Sequence, residues 1–248
     1  MDCLEGMREI PDKSIDMILC DLPYGTTSCP WDSIISLDKL WEQYMRIIKQ
    51  QSAIVLTATQ PFTTALINSN LGRFKYTWIW EKTKVGGVFN AKNMPLKSHE
   101  EVCIFSMGTT ANCSPTRMYY YPQGLIEINK TKNNRKREKD STIGNRPSRS
   151  GSYTQSYTNY PKTILRFANE TGLHPTQKPV PLFEYMIKTY NNECQTVLDN
   201  CMGSGTTAIA CLNTNRNYIG FELDKKYYEK SLERIQNHKI PNQILSNS

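Results

Sequence analysis

Residues 199–207, Asp-Asn-Cys-Met-Gly-Ser-Gly-Thr-Thr, contain the glycine turn that decides the fold. A predicted strand at 196–200 leads into this turn, and a predicted helix follows Gly205. In open α/β sheets, such a strand–turn–helix unit lets the backbone approach a ligand closely and directs helix amides toward it. The stretch therefore predicts an α/β sheet with a ligand site at this turn.

The residues that follow the turn predict what kind of ligand it holds. Ala208 interrupts the full G-x-G-x-x-G pattern, and no lysine follows Gly205, so a phosphate-binding P-loop is disfavoured. Glu222 lies about 20 residues further on, at the end of a predicted strand, where a carboxylate can accept hydrogen bonds from two ribose hydroxyls. Gly203, Gly205 and Glu222 together indicate a cofactor that contains a nucleoside. The alternative is a helix-start turn beside a surface glutamate.

A second motif, Asp21-Leu22-Pro23-Tyr24, also follows a predicted strand directly. The carboxyl ends of parallel strands meet at one edge of a sheet, so we expect both motifs to open onto the same pocket. A carboxylate and a turn carbonyl can accept both hydrogens of an exocyclic amine while an aromatic ring stacks on the base. Taken alone, the tetrapeptide is also compatible with an ordinary turn.

The rest of the chain alternates strand-like and helix-like segments, which predicts a doubly wound, mostly parallel sheet. The predicted strands are 14–20, 52–58, 76–81, 101–106, 196–200 and 217–222, and the predicted helices are 37–48, 61–70, 180–190, 206 onward and 225–237, the last with Asp224 as its N-cap. From 107 to 172 the periodicity fails. We therefore predict two catalytic segments, 1–106 and 173–248, separated by an insert at 107–172.

The insert carries most of the net charge of +7, because residues 130–149 hold eight basic residues against two acidic ones. Such a segment is either a solvated loop or a surface that binds a polyanion. The candidate nucleic-acid contacts are Lys130, Lys132, Arg135, Lys136, Arg137, Arg146 and Arg149.

Several functional classes are excluded by composition. The eight cysteines include no C-x-x-C pair and the three histidines lie far apart, so we expect reduced thiols and no metal site. No apolar run approaches 18 residues and the N-terminus lacks a signal-peptide pattern, which predicts a cytoplasmic protein without a membrane span.

Three motifs resemble one family when they are taken in order. Asp21-Leu22-Pro23-Tyr24, the HPTQKP segment at 174–179 and the 199–207 turn look like motifs IV, X and I of S-adenosylmethionine-dependent DNA amino-methyltransferases. The catalytic motif precedes the cofactor motif, as in the permuted β class, and WDSII (31–35), TATQPF (57–62) and WIWEKT (78–83) resemble phage and prophage members.

The resemblance implies a class I methyltransferase (Rossmann-like) fold, with the insert as a target-recognition region. It implies that Asp21 and the Leu22 carbonyl bind the target amine, that Pro23 shapes the turn and that Tyr24 stacks on the base. The cofactor residues that it implies are Asp2, Asp21, Thr176, Lys178, Asp199, Met202, Gly203, Gly205, Thr206 and Glu222, with Thr176 and Lys178 at the carboxylate end. Leu22 and Asn200-Cys201 depart from the common residues of the family.

The N-terminus also departs from the family pattern. Members usually carry a short strand before the Asp-Cys-Leu-Glu segment, whereas Asp2 directly follows Met1 here. We therefore expect the sheet to lack one edge strand on the cofactor side, with Asp2 near the adenine of the cofactor.

The predicted function is methyl transfer from S-adenosylmethionine to adenine N6 in double-stranded DNA after base flipping, without a metal. Cytosine-N4 transfer is one alternative, because the same acceptors suit either amine. The other is a DNA-binding protein that keeps the fold without catalysis. The resemblance further implies a homodimer and a bacterial or phage-encoded enzyme associated with the nucleoid.

Overall fold

A computed structural model describes residues 1–25, 32–133, 151–170 and 177–239. The helices within these ranges are α1 Cys3–Arg8, α2 Leu37–Ile47, α3 Phe62–Ser69, α4 Val180–Tyr190, α5 Thr206–Asn213 and α6 Lys225–Gln236. The strands are β1 Ile15–Asp21, β2 Ile48–Ala58, β3 Phe74–Gly86, β4 Lys97–Ser106, β5 Ile126–Asn133, β6 Ser152–Thr158, β7 Ile164–Phe167, β8 Thr196–Asp199 and β9 Asn217–Gly220. A short 3₁₀ turn covers Val88–Asn90.

Seven strands form one mixed sheet in the order β7-β3-β4-β2-β1-β8-β9. Strand β4 runs antiparallel to both of its neighbours, and the other adjacent pairs are parallel. The predicted mostly parallel α/β sheet is thus confirmed. At the cofactor side, where the sequence predicts a missing edge strand, β9 is the outermost of the described strands.

Helices cover both faces of this sheet, as the doubly wound prediction requires. Along β1, Ile18 and Cys20 pack into an apolar layer with α1, α2 and α3, whereas Met17 and Leu19 pack into a second layer with α4 and α5. Each fully buried aliphatic side chain contributes roughly 1.5–3 kcal/mol to folding. Burial on both faces explains why β1 and β2 read as continuous apolar runs.

The helix and strand predictions hold for the sheet core, and the structure adds elements that they omit. Asp224 caps α6 as predicted, accepting hydrogen bonds from the backbone N–H groups of Lys226 and Tyr227. Helix α1 was not predicted because it has only six residues. Strands β5, β6 and β7 lie where the periodicity fails, since most of their residues are exposed and show no apolar alternation.

The described chain contains two compact units. The larger comprises residues 1–121 and 163–248 and holds the seven-stranded sheet, and the smaller comprises 122–162. In the smaller unit β5 and β6 form an antiparallel pair, with Lys130 opposite Gln155 and Lys132 opposite Tyr153. The assignment of 107–172 to target recognition stays a prediction.

No helix in the described ranges is long and apolar enough to cross a membrane. Four of the seven described cysteines are buried, namely Cys3, Cys20, Cys103 and Cys211, and all seven carry free thiols.

Candidate active site

A cavity of about 810 Å³ lies where β1 and β8 end. Its lining includes Asp21, Leu22, Pro23 and Tyr24 after β1, and residues 199–204 after β8. These two strands are parallel neighbours, so their carboxyl ends lie at the same edge of the sheet. The volume falls in the range of small-molecule sites, roughly 300–1,000 Å³. The two sequence motifs therefore open onto one cavity.

Three donors hold the Asp21 carboxylate. The hydroxyls of Thr57 and Tyr24 donate to Oδ1, the latter over 2.7 Å, and Lys178 Nζ donates to Oδ2 over 2.7 Å. Thr57 reaches Asp21 because the parallel register of β1 and β2 places the two residues opposite each other. A carboxylate has roughly four acceptor sites, so Oδ2 retains capacity for one more donor.

Lys178 links two carboxylates at the buried side of the cavity. Its side chain is 4% exposed, and Nζ lies 2.7 Å from Asp21 Oδ2 and 3.3 Å from Glu100 Oε2. Lys82 pairs with the other oxygen of Glu100. Burial by itself lowers the pKa of Lys178, but the charges of Asp21 and Glu100 outweigh it and leave that pKa above its usual value. Two carboxylates and two ammonium groups therefore neutralise one another in a cluster that is largely shielded from water.

Tyr24 is half-buried at the edge of the same cavity. Its ring centroid lies 5.4 Å from that of Phe62, and Lys178 Nζ lies 5.5 Å from the Tyr24 centroid. Burial raises the pKa of Tyr24 well above its usual value, and the Asp21 charge adds to this effect. The phenol therefore stays protonated and continues to donate to Asp21.

Another part of the cavity lining is built from a backbone turn. Gly203 and Gly205 have φ values of 50° and 79°, a region that suits glycine. Gly203 N–H donates to Glu222 Oε2 over 2.8 Å, and Asp224 N–H donates to Oε1 over 2.9 Å. Each Glu222 oxygen keeps acceptor capacity, and this pair of acceptors fits the vicinal hydroxyls of a ribose. These acceptors thus fit the ribose of S-adenosylmethionine, the cofactor that the family resemblance implies.

Asp199 connects β8 to this turn. Thr207 Oγ1 donates to its Oδ2, and Cys201 N–H donates to Oδ1 over 3.1 Å. Burial raises the pKa of Asp199 from 3.8 to about 6, although these hydrogen bonds oppose the rise. The Asp199 carboxylate therefore holds the turn in place, although removing its charge from water costs free energy.

The Asn200-Cys201 pair, which departs from the family pattern, is accommodated by specific contacts. Tyr44 donates its hydroxyl hydrogen to Asn200 Oδ1, and Asn200 Nδ2 lies 3.7 Å from Cys3 Sγ and 3.4 Å from Cys201 Sγ. Asn200 is thus a buried polar residue with its amide engaged.

The remaining predicted cofactor residues divide into three groups. Asp2, Met202 and Thr206 line the cavity, and Asp2 also caps α1 by accepting from Leu4 N–H over 2.8 Å. Gly205 does not line it and instead forms the N-cap of α5, where an added Cβ would lie 3.3 Å from Ser231. Thr176 lies outside the described residues.

Of the predicted nucleic-acid contacts, Lys130 and Lys132 are exposed on β5 of the smaller unit. The others, Arg135, Lys136, Arg137, Arg146 and Arg149, fall in a range that the structure does not describe.

Sequence reasoning missed Thr57, Glu100 and Lys82 as site residues. The segments TATQPF and WIWEKT contain Thr57 and Lys82, but the sequence of these segments indicates only a resemblance to the family and no role for either residue. Glu100 lies opposite Trp80 in the β3–β4 register, which brings it within reach of Lys82 and Lys178. Strand register, which no local pattern reveals here, decides these contacts.

The described residues contain no group of three or more His, Cys, Asp or Glu side chains that could hold a metal ion.

Comparison with known proteins identifies the family. The family model described as DNA methylase, covering N6 and N4 enzymes, matches residues 15–233. Among curated relatives, the Type II methyltransferase M.HpaI of Haemophilus parainfluenzae is 25% identical, with 94% of this chain and 72% of the relative covered. The DNA adenine methyltransferase YhdJ of Escherichia coli is 24% identical, with 94% and 80% covered.

Solved structures show the same fold. The M1.HpyAVI–SAM complex superposes with a TM-score of 0.63 at 20% identity, covering 94% of this chain and 96% of that one. The PvuII cytosine-N4-specific DNA methyltransferase superposes with a TM-score of 0.67 at 14% identity, covering 97% and 86%. These likenesses confirm the predicted Rossmann-like class I fold. The chain therefore belongs to the N6/N4 DNA methylase family and is an S-adenosylmethionine-dependent DNA methyltransferase.

Proposed function

We propose that the enzyme methylates the N6 amino group of adenine in double-stranded DNA, after the target base has been flipped out of the helix. The observation that carries this proposal is the shared cavity, whose lining includes both Asp21 of the first motif and Glu222, which accepts from the glycine turn of the second. An amine placed at Asp21 and a nucleoside cofactor held at Glu222 would meet within one enclosed space. Adenine is favoured over cytosine by the resemblance of the acidic motif and by the relative whose name states adenine specificity.

The acceptor side of the cavity supplies alignment and charge. The lone pair of an adenine amine is delocalised into the ring, so nitrogen becomes nucleophilic only when its hydrogens are held and the developing positive charge is stabilised. Asp21 Oδ2 and the Leu22 carbonyl would accept the two hydrogens. S-adenosylmethionine, when bound, supplies an electrophilic methyl group, so this chain needs no covalent nucleophile.

We infer that Lys178 and Glu100 position Asp21 rather than contact the reacting nitrogen. Lys178 fixes Oδ2 in place, and its positive charge alone would oppose charge developing on the amine. Glu100 lies 3.3 Å from the same ammonium and offsets this opposition. The Asp21 carboxylate would then face the amine, stabilise the positive charge that develops on nitrogen and accept the amine proton.

Reaching the amine in a duplex requires base flipping, which costs a few kcal/mol. Stacking of the base on Tyr24 would return roughly 1–3 kcal/mol. The exposed Lys130 and Lys132, with the rest of the basic segment, would add phosphate affinity that is independent of sequence. Because the relatives are bacterial, we place the enzyme in a bacterial or phage-infected cytoplasm.

The test is to identify the methylated base. Wild-type protein and Asp21→Ala are expressed in a strain without DNA methylation of its own, and nucleosides are quantified by mass spectrometry while modified bases are mapped by sequencing. We expect N6-methyladenine within one short recognition sequence for the wild type and none for the variant. N4-methylcytosine would support the alternative target, and unmodified DNA would contradict the proposed function.

A further inference from the structure

A surface segment at residues 82–98 combines positive charge with exposed apolar side chains. It runs from the end of β3 to the start of β4 and contains four lysines and no aspartate or glutamate. Lys82 is paired with Glu100, whereas Lys84, Lys92 and Lys97 are exposed. A surface of this composition suits a partner that offers negative charge beside apolar surface.

The apolar side chains of this segment point into solvent. Phe89 is fully exposed at 104%, and Val88 and Met94 are exposed by 64% and 53%. Val85 and Leu96 are also exposed. Single exposed apolar residues are ordinary, but five within twelve positions mark a contact surface.

The tip of the segment is ordered by its own hydrogen bonds. Gly87, with a φ of 83°, starts the Val88–Asn90 turn, and Asn90 N–H donates to Gly87 O over 2.9 Å. Met94 N–H then donates to Asn90 O over 3.0 Å. The backbone of the turn therefore presents Phe89 outward without relying on apolar burial, and an ordered backbone reduces the entropy lost on binding.

The segment begins and ends at the active-site cavity. Lys82 and Lys97, which flank it, line the cavity together with Asp21 and Tyr24, and so does His99 just beyond it. The base of the segment therefore lies at the cavity that takes the substrate in the proposed function.

We propose that the 82–98 segment is a DNA wedge, in which Phe89 inserts into the duplex beside the target base while Lys84, Lys92 and Lys97 contact phosphates. The proposal rests on the proposed function, because a flipped base leaves a gap in the stack that an apolar side chain can fill. Apolar residues inserted between base steps offset part of the unstacking cost in other DNA-bending proteins. The lysines match the charge of the phosphates, which favours DNA over a second copy of this basic chain.

The experiment compares Phe89→Ala with Leu71→Ala, a variant of a residue that is 64% exposed between α3 and β3, before the other end of β3. Each protein methylates two duplexes that contain the mapped recognition sequence, one fully paired and one with a mismatch opposite the target base. For Phe89→Ala we expect kcat/KM to fall about tenfold or more on the paired duplex, and to stay within about twofold of wild type on the mismatched one. Leu71→Ala should match wild type on both.

Each other outcome overturns the wedge. Equal activity of Phe89→Ala and wild type would remove any role for the ring, and an equal loss on both duplexes would mean a contact unrelated to flipping. A loss accompanied by a shift from dimer to monomer in light scattering would assign the segment to a second copy. If wild-type protein methylates no DNA, the proposed function fails as well, whereas an active wild type with an unaffected variant refutes the wedge alone.

Discussion

The two sides of the cavity are built in different ways. The acceptor side, which we define as Asp21–Tyr24 with Thr57, Glu100 and Lys178, depends on charged side chains from separate strands and from the segment before α4. The cofactor side, defined as residues 199–206 with Glu222, depends on a glycine turn whose backbone N–H groups bind nearby carboxylates. The acceptor side is therefore an electrostatic network, and the cofactor side is a local backbone shape.

Because of this difference, we expect the two sides to control different kinetic quantities. A charge network that is complementary to a developing cation stabilises the transition state and so determines kcat. A turn that binds the cofactor equally in the ground state and in the transition state determines the affinity for the cofactor and leaves kcat nearly unchanged. Variants on the two sides should therefore separate kcat from cofactor affinity.

The largest effect is expected at Asp21. Asp21→Ala removes the carboxylate that we propose accepts the amine hydrogens, and removal of one such preorganised group typically costs about 10²–10³ in kcat. Cofactor affinity, measured by calorimetry with S-adenosylmethionine, should stay within a few-fold of wild type. Asp38→Ala, on the exposed face of α2, serves as the control.

Lys178→Met tests the same charge network at the residue that holds Asp21. The variant keeps the length of the side chain but leaves Asp21 Oδ2 without its ammonium, so we expect a smaller fall in kcat with an altered pH profile. Retained turnover in Asp21→Ala would mean that the acceptor side does not act through this carboxylate.

An intermediate effect is expected at Glu222. Glu222→Gln keeps the shape of the side chain but removes the charged acceptor, and hydrogen bonds to charged groups contribute about 1.5–3 kcal/mol. The Kd for S-adenosylmethionine should therefore rise about 10- to 100-fold, while kcat at saturating cofactor changes little. Glu229→Gln, which affects an exposed ion pair of α6, should bind cofactor like wild type. A loss confined to kcat would break the proposed division between the two sides.

A third effect, on stability rather than on activity or cofactor affinity, is a pH dependence at Asp199. The folded pKa of about 6 lies above the usual 3.8, so between these values the folded protein retains a proton that the unfolded chain has lost. The free energy of unfolding should therefore fall as pH rises through this window, by about 3 kcal/mol in total.

Asp199→Asn cannot titrate at this position and supplies the reference for urea unfolding at several pH values. The difference between wild type and variant isolates Asp199 from other titrating groups. Parallel stability curves for the two proteins would contradict the desolvated state of this carboxylate.

Much of the core and of the cofactor side could be predicted from the sequence, because their signals are local. The glycine turn, Glu222 and the Asp224 cap each follow from residues a few positions apart or from one strand–turn–helix unit. The sequence does not predict strands β5, β6 and β7, because most of their residues are exposed and their apolar side chains do not alternate regularly. The sequence does not predict Glu100 as a site residue either, because its partner Lys178 lies far along the chain and belongs to a different structural element.

The class of fold and the glycine turn could be read from the amino-acid sequence, since apolar period and glycine placement act over short distances. Only the tertiary structure decided that Lys178 is paired with Asp21 and Glu100 within the protein. Asp21 ends β1, Glu100 lies on β4 and Lys178 precedes α4, so these charges meet only when the separate elements pack against one another.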